Sequence, residues 1–188
     1  KMKNYIDLII PRGGKGLLKK VLKKSSVSII GHYEGLCHVF VDRDADLSTA
    51  IKVVKNSKMR NFSICGAAET LLIDKMCLKT HCKPILDHLS ELGCKIIGDR
   101  KIKKFIYEKM KIATEKDWKT EYLSPIISVK SVNGVTEAID HINQYGSSHT
   151  DSIVTKNRKT AKKFLSNINS SIAIHNASTQ FADGGEFG

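Results

Sequence analysis

Short apolar runs alternate with longer amphipathic stretches along the whole chain. The apolar runs have the length of β-strands and cover residues 5–10, 27–30, 38–42, 69–73, 94–97, 126–132, 151–155 and 171–175. Between them, apolar residues recur at helical spacing over residues 15–24, 47–60, 75–92, 101–109, 135–145 and 158–168. Apolar strands that alternate with helices are typical of parallel sheets covered on both faces. The pattern therefore predicts an α/β fold with a mostly parallel sheet.

Some of these helices carry local start and stop signals. Asp44 or Asp46 can cap the helix that begins near residue 47. Gly93 and Gly146 directly follow two of the helical patterns, where glycine commonly ends a helix. The chain has 188 residues, of which 41% are hydrophobic, and it contains no internal repeat or low-complexity linker. This length suits one domain with a full core, or one domain plus part of a second.

The net charge of +12 raises the question of a nucleic-acid partner. However, 26 of the 31 basic residues are Lys, and Arg is the better fork for phosphate and base edges. The lysines are scattered at helical spacing without interleaved aromatic residues, which favours a solvated surface over a polyanion-binding face. We therefore predict no nucleic-acid partner. Such a field would also favour a small anionic substrate.

Cysteine usage and the apolar runs indicate the compartment. The five cysteines are an odd number at irregular spacing, which is typical of a reducing environment. No apolar run approaches the roughly 20 residues that span a bilayer. The first ten residues lack the pattern of a secretory signal. We expect a cytoplasmic protein without a membrane partner.

The stretch SKMRNFSICGAAETLLI, residues 57–73, contains the strongest candidate for chemistry. Cys65 lies there between a helical pattern and an apolar strand. A cysteine at such a junction is held on a rigid edge, and backbone N–H groups of the next turn can stabilise its thiolate or a developing oxyanion. The alternative is an inert buried thiol, as most free cysteines are. No Ser-His-Asp elbow or pair of carboxylates competes with it.

Other polar stretches are weaker candidates. Arg12-Gly13-Gly14 follows a strand and opens a helix, so it could bind an anion or simply form a tight turn. Residues 146–151 and 176–179 are loops rich in small hydroxyl groups, Asn and His; we place both at the carboxyl ends of strands, where α/β proteins bind ligands. The alternative is that both are ordinary turns, which use the same residue types.

Metal-ligating residue types occur without a matching pattern. Cys77, His81 and Cys82 would share one helix, but the sequence has no second knuckle to complete a zinc site. His38 alternates with apolar residues in a strand, which indicates a structural histidine. We predict that the chain holds no metal.

Several stretches together, in order, resemble one enzyme family. The segments are DLIIPRGG, GHYEGLCHVFVD, AAETLLI, TEKDWKTEYLSPIISVK, AIDHINQYGSSHTDSIVT and NASTQFADGGEFG. They resemble the γ-glutamyl phosphate reductases, or glutamate-5-semialdehyde dehydrogenases, of the aldehyde dehydrogenase superfamily. They also resemble the reductase half of the bifunctional proline-pathway synthase. The resemblance covers essentially the whole chain.

The resemblance implies a reaction and a set of site residues. It implies NADPH-dependent reduction of γ-glutamyl phosphate to glutamate 5-semialdehyde and phosphate, through a cysteine thioester, in proline biosynthesis. Cys65 matches the position of the nucleophile. The cofactor NADP would be bound by Arg12, Gly13 and Gly14. The substrate would be bound by His149, Asn176, Ser178 and Thr179.

The resemblance also implies a domain organisation. Residues 1–31 would be a remnant of the dinucleotide-binding domain, residues 32–175 the cysteine-bearing catalytic domain of an aldehyde-dehydrogenase-like fold, and residues 176–188 the start of a truncated return segment. A second copy of the chain or a complementing fragment would then be a partner.

The chain departs from the family pattern at two positions that matter for the site. Gly66 stands where the family has Asn directly after the nucleophile, and Gln180 stands where it has Arg. A lost Arg removes a bidentate contact to an anion. The alternative function is therefore a truncated homologue that folds but does not turn over, or that needs a separate front half.

Overall fold

The apolar runs of the sequence become parallel strands in the computed structural model of the chain. The structure describes residues 2–11, 13–31, 34–106 and 110–182. Its internal contacts divide the chain into two units, Lys1–Glu34 and Gly35–Gly188. The assignment of residues 1–31, 32–175 and 176–188 to particular domains of the family stays a prediction.

The first unit is a small β-α-β element. Strands β1 (Leu8–Ile9) and β2 (Ser28–Ile29) pair in parallel, and helix α1 (Lys15–Lys24) connects them. A 3₁₀ turn, Met2–Asn4, precedes β1. Both strands are shorter than the apolar runs that predicted them.

The second unit contains one parallel sheet. Among the described residues its strands follow the order β6-β5-β7-β4-β3-β8-β9. Their bounds are β3 Cys37–Val41, β4 Ala68–Asp74, β5 Lys95–Gly98, β6 Lys111–Ile112, β7 Ile126–Val132, β8 Thr150–Val154 and β9 Ile172–His175. All neighbouring strands in this sheet run parallel, as predicted.

Helices cover both faces of this sheet. Their bounds are α2 Leu47–Met59, α3 Lys83–Glu91, α4 Gly134–Tyr145 and α5 Arg158–Asn167. Successive side chains of a strand point to opposite faces. Accordingly Val39 joins a core cluster with residues of α2 and α3, whereas Phe40 joins one with residues of α4 and α5. Helices α2 and α5 connect strands that are neighbours in the sheet, β3 to β4 and β8 to β9, whereas α3 and α4 connect strands that lie further apart.

The predicted helix signals are confirmed, and Gly146 directly follows α4 in an extended conformation. The Asp46 side chain accepts a hydrogen bond from Thr49 N at 2.9 Å and caps α2. Gly93 follows α3 with a φ of +82°, a conformation in which glycine ends helices without strain.

Two predicted helices are wrong in extent. Residues 75–92 divide into a 3₁₀ turn Lys75–Cys77, a π turn Leu78–Cys82 and α3. Pro84 has no N–H for the carbonyl of Thr80, so a regular helix cannot continue through this point. Over residues 101–109 the structure has a 3₁₀ turn, Ile102–Phe105, and residues 107–109 lie outside the described residues.

Candidate active site

Cys65 lies in a tight turn between α2 and β4. The Asn61 side chain accepts a hydrogen bond from Ser63 N at 3.0 Å, and Ala67 N donates to Ile64 O at 3.0 Å. Cys65 is exposed, whereas the four other cysteines of the chain are buried. The turn therefore presents the one exposed thiol of the five, and the predicted helix-to-strand junction is confirmed.

Gly35 lies directly against the backbone of Cys65. A Cβ at position 35 would overlap the backbone atoms of Cys65, so this approach requires a glycine. Gly35 N donates to Glu121 Oε1 at 2.7 Å, and Leu36 N donates to Ser147 Oγ at 2.9 Å. The chain before β3 thus joins three loops at the amino ends of the strands.

Cys37 connects Cys65 to His149. The Cys37 thiol donates to Cys65 O at 3.2 Å, and its Sγ lies 3.7 Å from His149 Nδ1. His149 Nδ1 also lies 2.7 Å from Thr150 Oγ1. Burial, and next the charge of Asp151, raise the pKa of Cys37 well above its usual range. Cys37 is therefore a neutral thiol that donates to the backbone of the Cys65 turn.

Ser178 and Thr179 pack against the other side of the Cys65 turn. Thr179 Oγ1 donates to Gly66 O at 2.7 Å, and Thr179 N donates to Ser57 Oγ at 3.1 Å. Ser57 Oγ donates to Ser178 Oγ at 3.3 Å, and all three side chains are buried. These contacts hold the backbone that follows α2 and Cys65. The roles of Ser178 and Thr179 in substrate binding stay predictions.

Gln180 also forms hydrogen bonds to the backbone that leads into this turn. Its side chain is buried, and Nε2 donates to Ser57 O at 2.9 Å and to Asn61 O at 3.1 Å. Its Oε1 is buried and has no hydrogen-bond partner among the described residues. At Gly66, a Cβ would lie 3.4 Å from Thr179 O, which is ordinary contact. The two departures from the family pattern therefore lie on either side of the Cys65 turn.

Asn176 lies at the opposite end of the sheet from Cys65. It follows β9 at its carboxyl end, whereas Cys65 precedes β4. Asn176 has a φ of +55°; Oδ1 accepts from Thr155 N at 3.0 Å, and Nδ2 donates to Thr155 O at 3.0 Å. These contacts reverse the chain toward Ser178. The structure does not bring Asn176 to Cys65, and its assignment to substrate binding stays a prediction.

The expectation that both polar loops lie at carboxyl ends is wrong for residues 146–151. This loop precedes β8, so His149 is at an amino end, together with Cys65. A loop between a helix and the next strand of a parallel sheet necessarily reaches the amino end. This position is what places His149 next to Cys37.

A buried ion pair closes the base of the Cys65 turn. Lys58 Nζ donates to Glu69 Oε2 at 2.6 Å, and Leu123 N donates to Glu69 Oε1 at 3.2 Å. Lys58 and Glu69 are 0% and 1% exposed. Burial raises the pKa of Glu69 to about 7, against the opposing attraction of Lys58.

The sequence carries one signal for this pair, on the buried face of α2. The buried residues of α2 are Ala50, Val53, Val54, Ser57 and Lys58, which follow a single helical stripe. Lys58 therefore takes a place where an apolar residue is expected, and a charge there needs a partner. The contacts of Gly35 and Glu121 have no comparable local signal.

The predicted cofactor residues lie in the first unit. Gly13 has a φ of +147°, and Gly14 is the residue directly before α1, so no side chain caps the start of this helix. A Cβ at Gly14 or Gly16 would meet nothing within 4 Å. An open helix start of this kind fits a phosphate group of a dinucleotide. Arg12 lies outside the described residues.

The residues considered for a zinc site, Cys77, His81 and Cys82, are buried or hydrogen-bonded within the fold. Burial raises the pKa values of Cys77 and Cys82 to about 12. The His81 ring nitrogens lie 2.8 Å from Thr80 Oγ1 and 3.1 Å from Ala45 O. Within residues 2–11, 13–31, 34–106 and 110–182, no group of three His, Cys, Asp or Glu side chains could hold a metal.

In the described part of the chain, none of the helices combines the length and the apolar character needed to cross a membrane.

Comparisons with known proteins show what the chain is similar to. Residues 106–188 match the aldehyde dehydrogenase family model. Gamma-glutamyl phosphate reductase of Parvibaculum lavamentivorans is 52% identical over 97% of this chain and 43% of its own length. The corresponding enzyme of a Methylobacterium species is 50% identical over 97% of this chain and 42% of its own. The predicted resemblance is confirmed.

Solved structures give the same relation. The crystal structure of gamma-glutamyl phosphate reductase from Thermotoga maritima has a TM-score of 0.94 and 41% identity, over 100% of this chain and 45% of that chain. A lactaldehyde dehydrogenase structure, at 15% identity and a TM-score of 0.73, shares the fold over 92% of this chain and 46% of its own. The predicted fold class is confirmed. The chain spans less than half the length of the relatives it matches.

Proposed function

We propose that this chain, a relative of the gamma-glutamyl phosphate reductases in the aldehyde dehydrogenase family, contributes the cysteine-bearing part of an acyl-phosphate reductase. Its substrate would be γ-glutamyl phosphate, and its products glutamate 5-semialdehyde and phosphate. The observation that carries the proposal is the single exposed thiol, Cys65, held in a turn whose backbone is fixed from several sides.

The first step is acyl transfer to sulfur. The Cys65 thiolate attacks the acyl carbon, the bond from that carbon to the phosphate oxygen breaks, and phosphate leaves with the electron pair. The product is a thioester on Cys65. Phosphate is a good leaving group, so the step needs a positioned thiolate and a stabilised acyl oxygen rather than a strong base.

The cofactor would be NADP. When bound, NADPH would supply the hydride for reduction of the thioester carbonyl, and Cys65 would be released as the thiolate when the aldehyde leaves. Gly13 and Gly14, with Arg12, would hold a phosphate of this cofactor, and the open helix start at Gly14 supports this.

The surroundings of Cys65 support a nucleophile. Cys37 donates to the Cys65 carbonyl, and Thr179 donates to the carbonyl of Gly66, so the turn has little freedom to move the thiol away from the substrate. His149, next to Cys37, would contact the substrate. Ser178 and Thr179 would act through the turn that they hold, and the role predicted for Asn176 remains to be tested separately.

The test uses an acyl phosphate and needs no cofactor. Acetyl phosphate is added to the chain, and the digested protein is searched by mass spectrometry for an acetyl group on a cysteine. We expect acetylation of Cys65, its removal by hydroxylamine, and no adduct in Cys65→Ala. Cys77→Ala, which removes a buried thiol, is the matched control and keeps the adduct.

A second measurement follows NADPH consumption with γ-glutamyl phosphate. Acetylation of Cys65 without NADPH consumption would favour the alternative of a homologue that needs a separate front half. No adduct on Cys65, or an adduct that survives in Cys65→Ala, would contradict the proposed function.

A further inference from the structure

The Lys58–Glu69 pair is expensive for the fold to bury. Its side chains are 0% and 1% exposed, and the Nζ–Oε2 distance is 2.6 Å. Removing two charges from water costs more than their attraction commonly returns, and apolar residues of similar size often give an equal or higher stability. A buried pair is therefore weak evidence for a stabilising role. Its position in the fold can indicate another role.

The pair lies at the two ends of the segment that carries Cys65. Lys58 is in the last turn of α2, and Glu69 is the second residue of β4. The salt bridge therefore closes residues 59–68 into a loop at its base. The exposed Cys65 lies within this loop, so the distance between Lys58 and Glu69 limits the conformations that its backbone can adopt.

Glu69 also binds the segment 121–123. Its second carboxylate oxygen accepts from Leu123 N at 3.2 Å, and Leu123 has a φ of +48°, which is strained for a leucine. Two residues earlier, Glu121 accepts from the N–H of Gly35, which lies against the Cys65 backbone. One carboxylate thus joins α2, β4 and the segment that positions Gly35.

We propose that Lys58 and Glu69 are positioning residues that fix the Cys65 turn relative to the segment 121–123, so that the thiol is held where it meets the acyl carbon. The effect on acyl transfer rests on the function proposed above. The effect on the order of the turn does not, because it follows from the contacts alone.

The test uses the full chain with both charges replaced by apolar residues, Lys58→Met together with Glu69→Leu. Amide hydrogen exchange of residues 59–68 is measured at a temperature equally far below each midpoint of unfolding. We expect exchange in this segment to accelerate at least about 10-fold, because local opening becomes easier. The control Lys156→Met breaks an exposed ion pair with Asp46 and leaves this exchange unchanged.

A second readout separates positioning from stability. The rate of acetylation of Cys65 by acetyl phosphate is divided by its rate of alkylation by iodoacetamide. We expect the double variant to lower this ratio at least about 10-fold, because acyl transfer depends on orientation more than alkylation does. If the double variant does not fold, Glu69→Gln, which keeps the shape of the side chain, is measured in the same way.

The outcomes distinguish the two proposals. Unchanged exchange in residues 59–68, or an unchanged ratio in a folded variant, overturns the positioning role. If the wild-type chain is not acetylated at all, the proposed function fails, and faster exchange in the variant still supports the positioning role.

Discussion

At the carboxyl ends of β3, β4 and β8, polar side chains form hydrogen bonds mainly to one another and to the backbone of Thr155. Thr155 Oγ1 donates to Asp42 Oδ2 at 2.7 Å, and Arg43 Nε donates to Asp74 Oδ2 at 2.8 Å. The Asn176 amide satisfies both backbone groups of Thr155. These contacts cap elements and reverse the chain.

At the amino ends of the same strands, side chains bind the backbone around an exposed cysteine. They come from four separate segments and are Cys37, Glu121, Ser147 and Thr179. Parallel sheets commonly bind ligands at their carboxyl ends. In this unit the exposed thiol is at the amino ends, and the carboxyl ends are occupied by structural contacts.

Thiol reactivity should separate the two ends most strongly. With iodoacetamide on the native protein, we expect Cys65 to react on the order of 100-fold faster than Cys77, which lies beyond the carboxyl end of β4, because buried thiols react only after local opening. Peptide mass spectrometry over time measures both rates. Comparable rates at the two positions would remove the distinction between the ends.

Gly35→Ala should disturb the amino end alone. The added Cβ overlaps the Cys65 backbone, so we expect a loss of about 3 kcal/mol in the free energy of unfolding, at the upper end for overpacking. Acetylation of Cys65 should fall at least about 10-fold, because the turn is displaced.

A matched control is Gly16→Ala, in α1. Its Cβ would meet nothing within 4 Å, so we expect a gain of about 0.5–1 kcal/mol from helix propensity and no change in acetylation. Denaturant unfolding and acetylation kinetics check both variants. Normal acetylation in a folded Gly35→Ala protein would show that the close approach does not position the thiol.

The pH dependence of stability should report on Glu69. Because its pKa rises to about 7 in the folded chain from an ordinary value of 4.5, its contribution to stability is complete below pH 4.5 and is lost as the pH rises through 7. We expect the stability of the wild type relative to Glu69→Gln to fall by about 3 kcal/mol across this range.

Neighbouring groups that act electrostatically on or with Glu69 include Lys58, Cys94, Tyr122 and Cys37. Burial raises the pKa values of Cys94 and Tyr122 to about 12 and that of Cys37 well above its usual range, so these three stay protonated between pH 4.5 and 7. A difference between wild type and variant that is independent of pH would indicate that Glu69 keeps an ordinary pKa.

Asn176→Ala tests the carboxyl end, where we expect a smaller loss of stability than for Gly35→Ala. Alanine is less favourable than asparagine in this left-handed conformation, and it loses both hydrogen bonds to Thr155. We expect the free energy of unfolding to fall by about 2 kcal/mol. Asn176→Gly tolerates the same backbone and should lose about half as much. Acetylation of Cys65 should not change in either variant. Loss of acetylation at unchanged stability would instead support the substrate role predicted from the sequence.

Much of the fold could be predicted because each element carries its own signal. The stripe of α2, the cap at Asp46 and the stop at Gly93 are all local, and the structure confirms them. The periodicity of residues 75–92 does not predict the 3₁₀ and π turns before α3, although Pro84 indicates an interruption there. The short strand β6 and the 3₁₀ turns are too short for periodicity to detect.

Periodicity and spacing predict the site only close to Cys65 in the sequence, whereas His149, Ser178 and Thr179 come from the family resemblance. Gly35 and Glu121 reach the turn from distant segments, and their contacts depend on which strands become neighbours in the sheet. The general rule about carboxyl ends also directed attention to Asn176, which the structure places at the other end. Lys58 was predictable from its place on the apolar stripe of α2.

Phosphate release tests the central claim most directly. The chain is mixed with acetyl phosphate, and inorganic phosphate is measured during the first turnover together with the adduct on each cysteine. The account predicts a burst of one phosphate per chain, matched by one acetyl group on Cys65 and absent from Cys65→Ala. Phosphate released without an adduct, or an adduct on one of the four buried cysteines, would contradict it.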